Sequence, residues 1–241
     1  MKSIRRVATS VVTAGLVLVA GVGIGAPAAQ ASSRPIDITG YTVNDQVVST
    51  SSCRNVTIKA RTKKQRDYWD SFGTVDVTKA GGWVGSVSFD DGIITDRAVI
   101  CPSYEGLGKY TVGPADLLAE YEYSDYWGWS TDLKSYVDGT RKSFYIRGKA
   151  KASVSAKRSG KYVTLTGKAS RYRPDLYGYR AYNPRAKFQV KSGNQWKTVK
   201  TVTLKKGKAT VKVKRSSKAT YRMTFAKTSY STSATSKSVR K

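Results

Sequence analysis

Cys53 and Cys101 are the only cysteines of the 241-residue chain, and histidine is absent. Without imidazole there is no Ser-His-Asp or Cys-His nucleophile system and no His-ligated metal. Two thiols are too few for a zinc ribbon or an iron–sulfur cluster. No glycine loop of the mononucleotide or dinucleotide type is present to cradle a phosphate. An even pair of cysteines 48 positions apart predicts a structural Cys53–Cys101 disulfide, provided the chain meets an oxidising exterior; Arg54 alone is weak grounds for a reactive thiol. Acid–base chemistry would fall to carboxylates. Glu120 with Asp125, or Asp91 with Asp96, has the composition of a glycosidase pair, and Asp90, Asp91 and Asp96 have the charge to hold a hard cation. Acid pairs are ordinary in surface turns, and this spacing fits no standard calcium motif. The expectation is a non-enzymatic protein with no metal and no cofactor.

Charge is the stronger signal. The formal net charge is +27, and it is distributed unevenly. Residues 32–147 hold 14 basic and 15 acidic side chains, whereas residues 148–241 hold 26 basic and one acidic, Asp175. Such asymmetry points to a module facing a polyanion. A net +25 on 94 residues goes far beyond what solubility needs, and its self-repulsion opposes folding. Seven lysines are the candidate polyanion-binding set. Lys212 and Lys214 alternate with valines in 209–214, Lys187 and Lys191 flank Phe188 and Val190, and Lys205, Lys206 and Lys208 crowd a turn. Lysines outnumber arginines 18 to 8 in this segment, and the ammonium group lacks the bidentate fork of guanidinium. Diffuse attraction is therefore expected, not base-specific readout.

Two aromatic stretches stand out. Arg171, Tyr172, Arg173, Tyr177, Tyr179, Arg180, Tyr182 and Arg185 interleave rings with guanidinium groups. Read as a loop, they suit contact with sugars, phosphates or protein; the tyrosines could equally cap the end of a core. The segment from Glu120 to Trp129 is acidic and aromatic. Trp127 and Trp129, two apart, either share one strand face as a glycan platform or sit at the core and rim of a sandwich.

The elements that must position these residues read as strands. Segments 55–61, 85–89, 108–112, 143–147, 162–167, 187–191, 209–214 and 221–225 alternate apolar with polar residues. That is the period of half-buried antiparallel strands. Turn signals at Asp91-Gly92, Ser159-Gly160, Ser192-Gly193-Asn194 and Lys206-Gly207 divide them. One short helix is expected around 114–122, with Pro114 at its start; a strand through 117–123 competes with it. At the N-terminus, Lys2, Arg5 and Arg6 precede an apolar run over 7–26 and the small-residue exit Ala29-Gln30-Ala31. This is the pattern of a secretory signal peptide, 1–31, cleaved before Ser32. Two β-sandwich domains follow, 32–147 and 148–241, joined by a few residues near Gly148-Lys149-Ala150-Lys151.

The second domain also carries a resemblance. The strands Lys161-Tyr162-Val163-Thr164-Leu165-Thr166-Gly167, Gln195-Trp196-Lys197-Thr198-Val199 and Ala219-Thr220-Tyr221-Arg222-Met223-Thr224-Phe225 are its marks. They resemble the immunoglobulin-like β-sandwich modules of secreted proteins from actinomycete-type bacteria, over about 152–239. The resemblance implies an all-β fold and little about ligand. This copy departs from the pattern in its lysine-rich outward positions and its long 171–185 stretch. The expected protein is secreted, extracellular and associated with the cell wall. Its basic domain binds anionic envelope or matrix polymers such as teichoic acids, anionic lipids or shed DNA. The first domain is left to a protein or glycan partner. The competing class is a cationic effector acting on foreign membranes or nucleic acid.

Overall fold

The computed structural model describes residues 35–64, 70–90 and 95–241. The expected leader 1–31 and its cleavage site lie outside the described residues, as do Asp91 and the Asp91-Gly92 turn.

In the first half, the described strands are β1 (Ile36–Val43), β2 (Gln46–Val48), β3 (Arg54–Lys64), β4 (Asp70–Lys79), β5 (Gly82–Phe89), β6 (Thr95–Ile100), β7 (Gly108–Asp125), β8 (Gly128–Asp138) and β9 (Lys142–Gly148). One sheet has the order β1-β3-β6 and the other β2-β9-β7-β4-β5, with β8 added to β7. Ile36, Ile38, Val56, Ile58 and Ile100 from the first sheet share a core with Val75, Val77, Val87, Tyr110, Val112, Phe144 and Ile146 from the second. Each set occupies alternate positions of its strands, which is why one face of each sheet turns inward.

The second half repeats the plan with β10 (Ala150–Ser159), β11 (Tyr162–Arg173), β12 (Gly178–Ala181), β13 (Arg185–Ser192), β14 (Gln195–Thr203), β15 (Lys208–Lys214), β16 (Thr220–Phe225), β17 (Ala234–Thr235) and β18 (Val239–Arg240). β11 pairs with β10, β12 and β15; β13 and β16 pair with each other, flanked by β14, β17 and β18. Val163, Leu165 and Val211 of one sheet meet Phe188, Val190, Tyr221, Met223 and Phe225 of the other. Lettered in chain order, each half has A, B and E in one sheet and C′, C, F and G in the other. β2 runs parallel to β9, as an extra strand beside G. This is the strand order of an immunoglobulin-like sandwich.

Two sequence expectations change. The segment 114–122 is strand, not helix, because β7 is paired on both sides, with β4 and β8, and buries Ala115, Leu117 and Ala119 at period two. The helical turn lies instead at Pro102–Glu105, directly after Cys101. The expected Cys53–Cys101 disulfide is present; it joins neighbouring strand ends of one sheet, where Arg54 faces Ile100.

The second change concerns the Tyr/Arg stretch. It is not a free loop: it contains the end of β11, a 3-10 turn (Pro174–Leu176) and β12. Tyr172 is 6% exposed and joins the core of the first half, with Tyr179 packed beside it at a 5.5 Å ring separation. Burial is the main influence on Arg171 and holds its guanidinium below the usual value. Arg173 donates to Asp175, and that hydrogen bond is the chief reason the carboxyl lies below its ordinary range. Tyr177, with its backbone in the left-handed region, is well exposed. The stretch is therefore mainly a joint between the halves.

Only Lys149 separates β9 from β10. Its N–H donates to Val48 O and its carbonyl accepts from Tyr172 N–H. A side chain at Gly148 would meet Tyr172 O at 2.2 Å, so only glycine permits this approach. Alongside, the buried Arg147 donates to Asp45 Oδ2 (2.5 Å) and to Thr228 O (2.7 Å) and stacks on Tyr145.

Candidate functional site

β10, β11 and β15 lie side by side, and their alternate residues form one outward face. The register places Lys157, Thr164 and Lys212 in one row, then Ser155, Thr166 and Thr210, then Ser153, Lys168 and Lys208. Lys151 opposes Ser170 at one end, and Tyr162 opposes Lys214 at the other. No residue in these rows is acidic. The lysines are exposed, while Val163, Leu165 and Val211 point from the same strands into the core.

Lys168 stands directly opposite Lys208 on this face. Like charges so placed across a strand pair oppose folding, and a counter-charge above them removes that penalty. The Ser and Thr rows between the lysines add short hydroxyls able to donate to an anionic oxygen. Lys212 Nζ lies 4.5 Å from the centre of the Tyr162 ring, which sets a cation beside an aromatic surface.

At one end, the face deepens into a groove of ≈ 540 Å³ lined by Lys151, Ser153, Lys168, Ser170 and Lys206, with alanines and Gly207 as its floor. It exists because β12 pairs with the last residues of β11, and β15 with the earlier ones, on the same side. The seam between them is closed by the chain at Gly207. Its carbonyl accepts from Ala169 N–H and its N–H donates to Asn183 Oδ1. Gly207 has φ +72°, and a Cβ there would strike Ala169 O at 2.8 Å. This tight turn carries Lys206 to the rim. Lys151 Nζ sits 3.7 Å over the Tyr179 ring, and so is held near the groove by the joint.

The seven lysines singled out from the sequence do not share one face. Lys208, Lys212 and Lys214 lie on the β10–β11–β15 face; Lys206 rims its groove, and Lys205 is in the adjoining turn. Lys187 and Lys191 lie on the opposite sheet, where Lys187 faces Thr201 and Lys191 faces Trp196. There, Arg222 stacks on Trp196 at 4.1 Å and donates to Gln189. Sequence reasoning missed Lys151, Lys157 and Lys168. The signal was available in the alternation Lys151, Ser153, Ser155, Lys157, which puts every polar residue of β10's first eight positions on one side.

The other candidates separate. Asp96 accepts from Ser88 N–H and Arg97 N–H, which gives its carboxylate a role in local backbone geometry. Trp127 and Trp129 are neither core nor rim: they are 89% and 80% exposed at the tip of the β7–β8 hairpin. Among the described residues, no cluster of three acidic or sulfur ligands is placed to hold a metal ion.

No protein-family model matches the chain. No curated protein matches it either. Solved structures overlap it loosely. A marsupial T cell receptor aligns with 79% of this chain and 66% of its own, at 8% identity and a TM-score of 0.33. The titin Ig tandem domains A164-A165 align with 86% of this chain and 93% of their own, at 10% identity and a TM-score of 0.27. The human OSCAR ligand-binding domain aligns with 83% of this chain and 96% of its own, at 13% identity and a TM-score of 0.27. The immunoglobulin-like description rests on the strand order and not on these overlaps.

Proposed function

We propose that this is a secreted, non-enzymatic binding protein that associates with anionic polymers of the cell envelope or surrounding matrix through the β10–β11–β15 face. The observation that carries the reading is the acid-free lattice of lysine, serine and threonine in which Lys168 opposes Lys208. A net +25 in this half supplies long-range attraction, and lysine supplies point charges with little geometric selectivity. Phosphodiester polymers fit such a face whatever their backbone. Each lysine–phosphate contact releases a counterion, so binding weakens as salt rises.

The test compares two triple charge reversals of equal size. One is Lys151→Glu, Lys168→Glu and Lys208→Glu, on the face. The other is Lys187→Glu, Lys191→Glu and Lys200→Glu, on strands of the opposite sheet. Affinity for poly(glycerol phosphate), duplex DNA and anionic vesicles is measured between about 50 and 200 mM salt. The face variant should lose at least about 10-fold more affinity than the control variant. Equal losses would reduce the reading to diffuse net charge. No binding of any polymer by the unaltered protein at low salt would end it.

A further inference from the structure

The first sandwich carries a surface of opposite character. On the outward side of β5, β4, β7 and β8, the register aligns Ser88, Thr74, Asp116 and Val137 in one row. The next rows are Phe72, Leu118 and Ser135, then Asp70, Glu120 and Leu133, then Glu122 with Thr131, then Ser124 with Trp129. None of these positions is basic. A groove of ≈ 920 Å³ runs over this face, with Phe72, Leu118 and Val137 as apolar wall and Asp90 and Asp116 as acidic wall. Beyond it the hairpin ends in Tyr126, 94% exposed, with Trp127 and Trp129. Tyr126 and Trp127 meet edge to face at 5.5 Å.

Carboxylates beside exposed aromatic faces suit ammonium and guanidinium groups, which gain both charge pairing and cation–π attraction. The same carboxylates are repelled by an anionic bilayer or a phosphate polymer, so the aromatic tip is poorly placed to serve either. A surface of complementary charge is present on this chain: the β10–β11–β15 face, with lysines at regular spacing. Both faces are exposed in the single chain, so one molecule does not satisfy both.

We propose that the acidic, aromatic β7–β8 face of one molecule docks onto the lysine-rich β10–β11–β15 face of a second copy. The two surfaces differ, so the contact is head-to-tail, and the bound pair still offers one free face of each kind. Such contacts propagate into chains, or close into rings if the rotation permits. Because the basic face is shared, a polyanion competes with assembly. The contact is strong at low salt and screened at high salt.

Sedimentation of the full mature chain tests this at up to about 100 μM protein, in about 50 mM and about 300 mM salt. The unaltered protein should form concentration-dependent oligomers at low salt that dissociate at high salt or on adding poly(glycerol phosphate). Glu120→Lys with Glu122→Lys should weaken association at least about 10-fold while retaining polymer binding, which separates this proposal from the polyanion reading. Lys168→Glu with Lys212→Glu should also be monomeric. Mixed one to one, the two variants should form a dimer that grows no further, since each supplies the intact face the other lacks; that recovery also shows both are folded. A protein monomeric under all these conditions overturns the proposal. So does an acidic-face variant that assembles like the unaltered chain, or a mixture that stays monomeric.

Discussion

The two halves share one strand order and differ almost completely in charge. Residues 32–147 are nearly neutral, and residues 148–241 carry 26 basic side chains against one acid. What they hold in common is the inward set: Val75, Val77, Phe144 and Ile146 in the first half, Val163, Leu165, Phe188 and Met223 in the second. What they do not hold in common is the outward set on the same kind of strand. Alternate positions of a strand answer to different demands, so a sandwich can change its surface entirely without changing its layers. The halves also differ in how they are reinforced. The first has a disulfide across β3 and β6, and the second has none. The second contributes Tyr172 to the first half's core.

The sharpest way to break the symmetry is to remove the disulfide. Its 48-residue separation predicts a loss of about 4 kcal/mol on the chain-entropy model for Cys53→Ala with Cys101→Ala. Hydrogen exchange should show β3 and β6 opening first, with β11 and β13 nearly unchanged. Equal loss of protection in both halves would mean that they unfold as one unit.

Next in size is Tyr172→Ala. Removing this ring from the other half's core should cost about 3 kcal/mol. It should also move the denaturant unfolding midpoint of the first half further than that of the second. If Tyr172→Phe were equally damaging, the hydroxyl rather than ring packing would be responsible.

Asp45 offers a smaller, pH-dependent effect. Burial alone would raise its carboxyl. The hydrogen bonds from Arg147 and Tyr145 N–H, with the charges of Arg147 and Lys227, outweigh burial and bring it below its ordinary 3.8. A carboxylate lowered on folding contributes stability above its unfolded value, and that contribution is lost as pH falls through the folded value. Asp45 is 43% exposed, so solvent screening limits the contribution to about 1 kcal/mol. The melting temperature of the unaltered protein should exceed that of Asp45→Asn at neutral pH, and the two should converge in acid below the carboxylate range. A gap that persists there would assign the effect to lost packing.

Salt should have the smallest effect and the clearest contrast. Screening the net +25 half should raise its melting temperature by a few degrees between about 20 and 200 mM salt, with the near-neutral half little changed. An equal rise in both would trace to general ion effects and not to repulsion.

Strand periodicity made most of the fold legible. Segments 55–61, 162–167, 187–191, 209–214 and 221–225 are strands or parts of strands, because in–out alternation is a local property of the chain. The helix expected at 114–122 failed because Pro114 and Asp116 resemble a helix start, whereas β4 and β8 on either side supply a full ladder for β7. The candidate site was half legible. Lys208, Lys212 and Lys214 were visible by alternation, but nothing local joins them to Lys151, Lys157 and Lys168 some 40 to 60 residues earlier.

By itself, the sequence determined that the chain is β-rich, which side of each strand is apolar, and that almost all the net positive charge lies in the last 94 residues. These follow from residue type and period alone. Only the tertiary structure decided which outward residues become neighbours. Lys187 and Lys212 carry the same local signal, an exposed lysine between apolar residues, yet they belong to opposite sheets. Tyr172 and Tyr177 sit in one Tyr/Arg stretch, yet one is core and the other exposed. The reason is that period two tells inside from outside but not which of two layers a strand joins. That choice is made by long-range pairing, such as β11 with β15, whose partners lie 40 to 52 residues apart in the sequence.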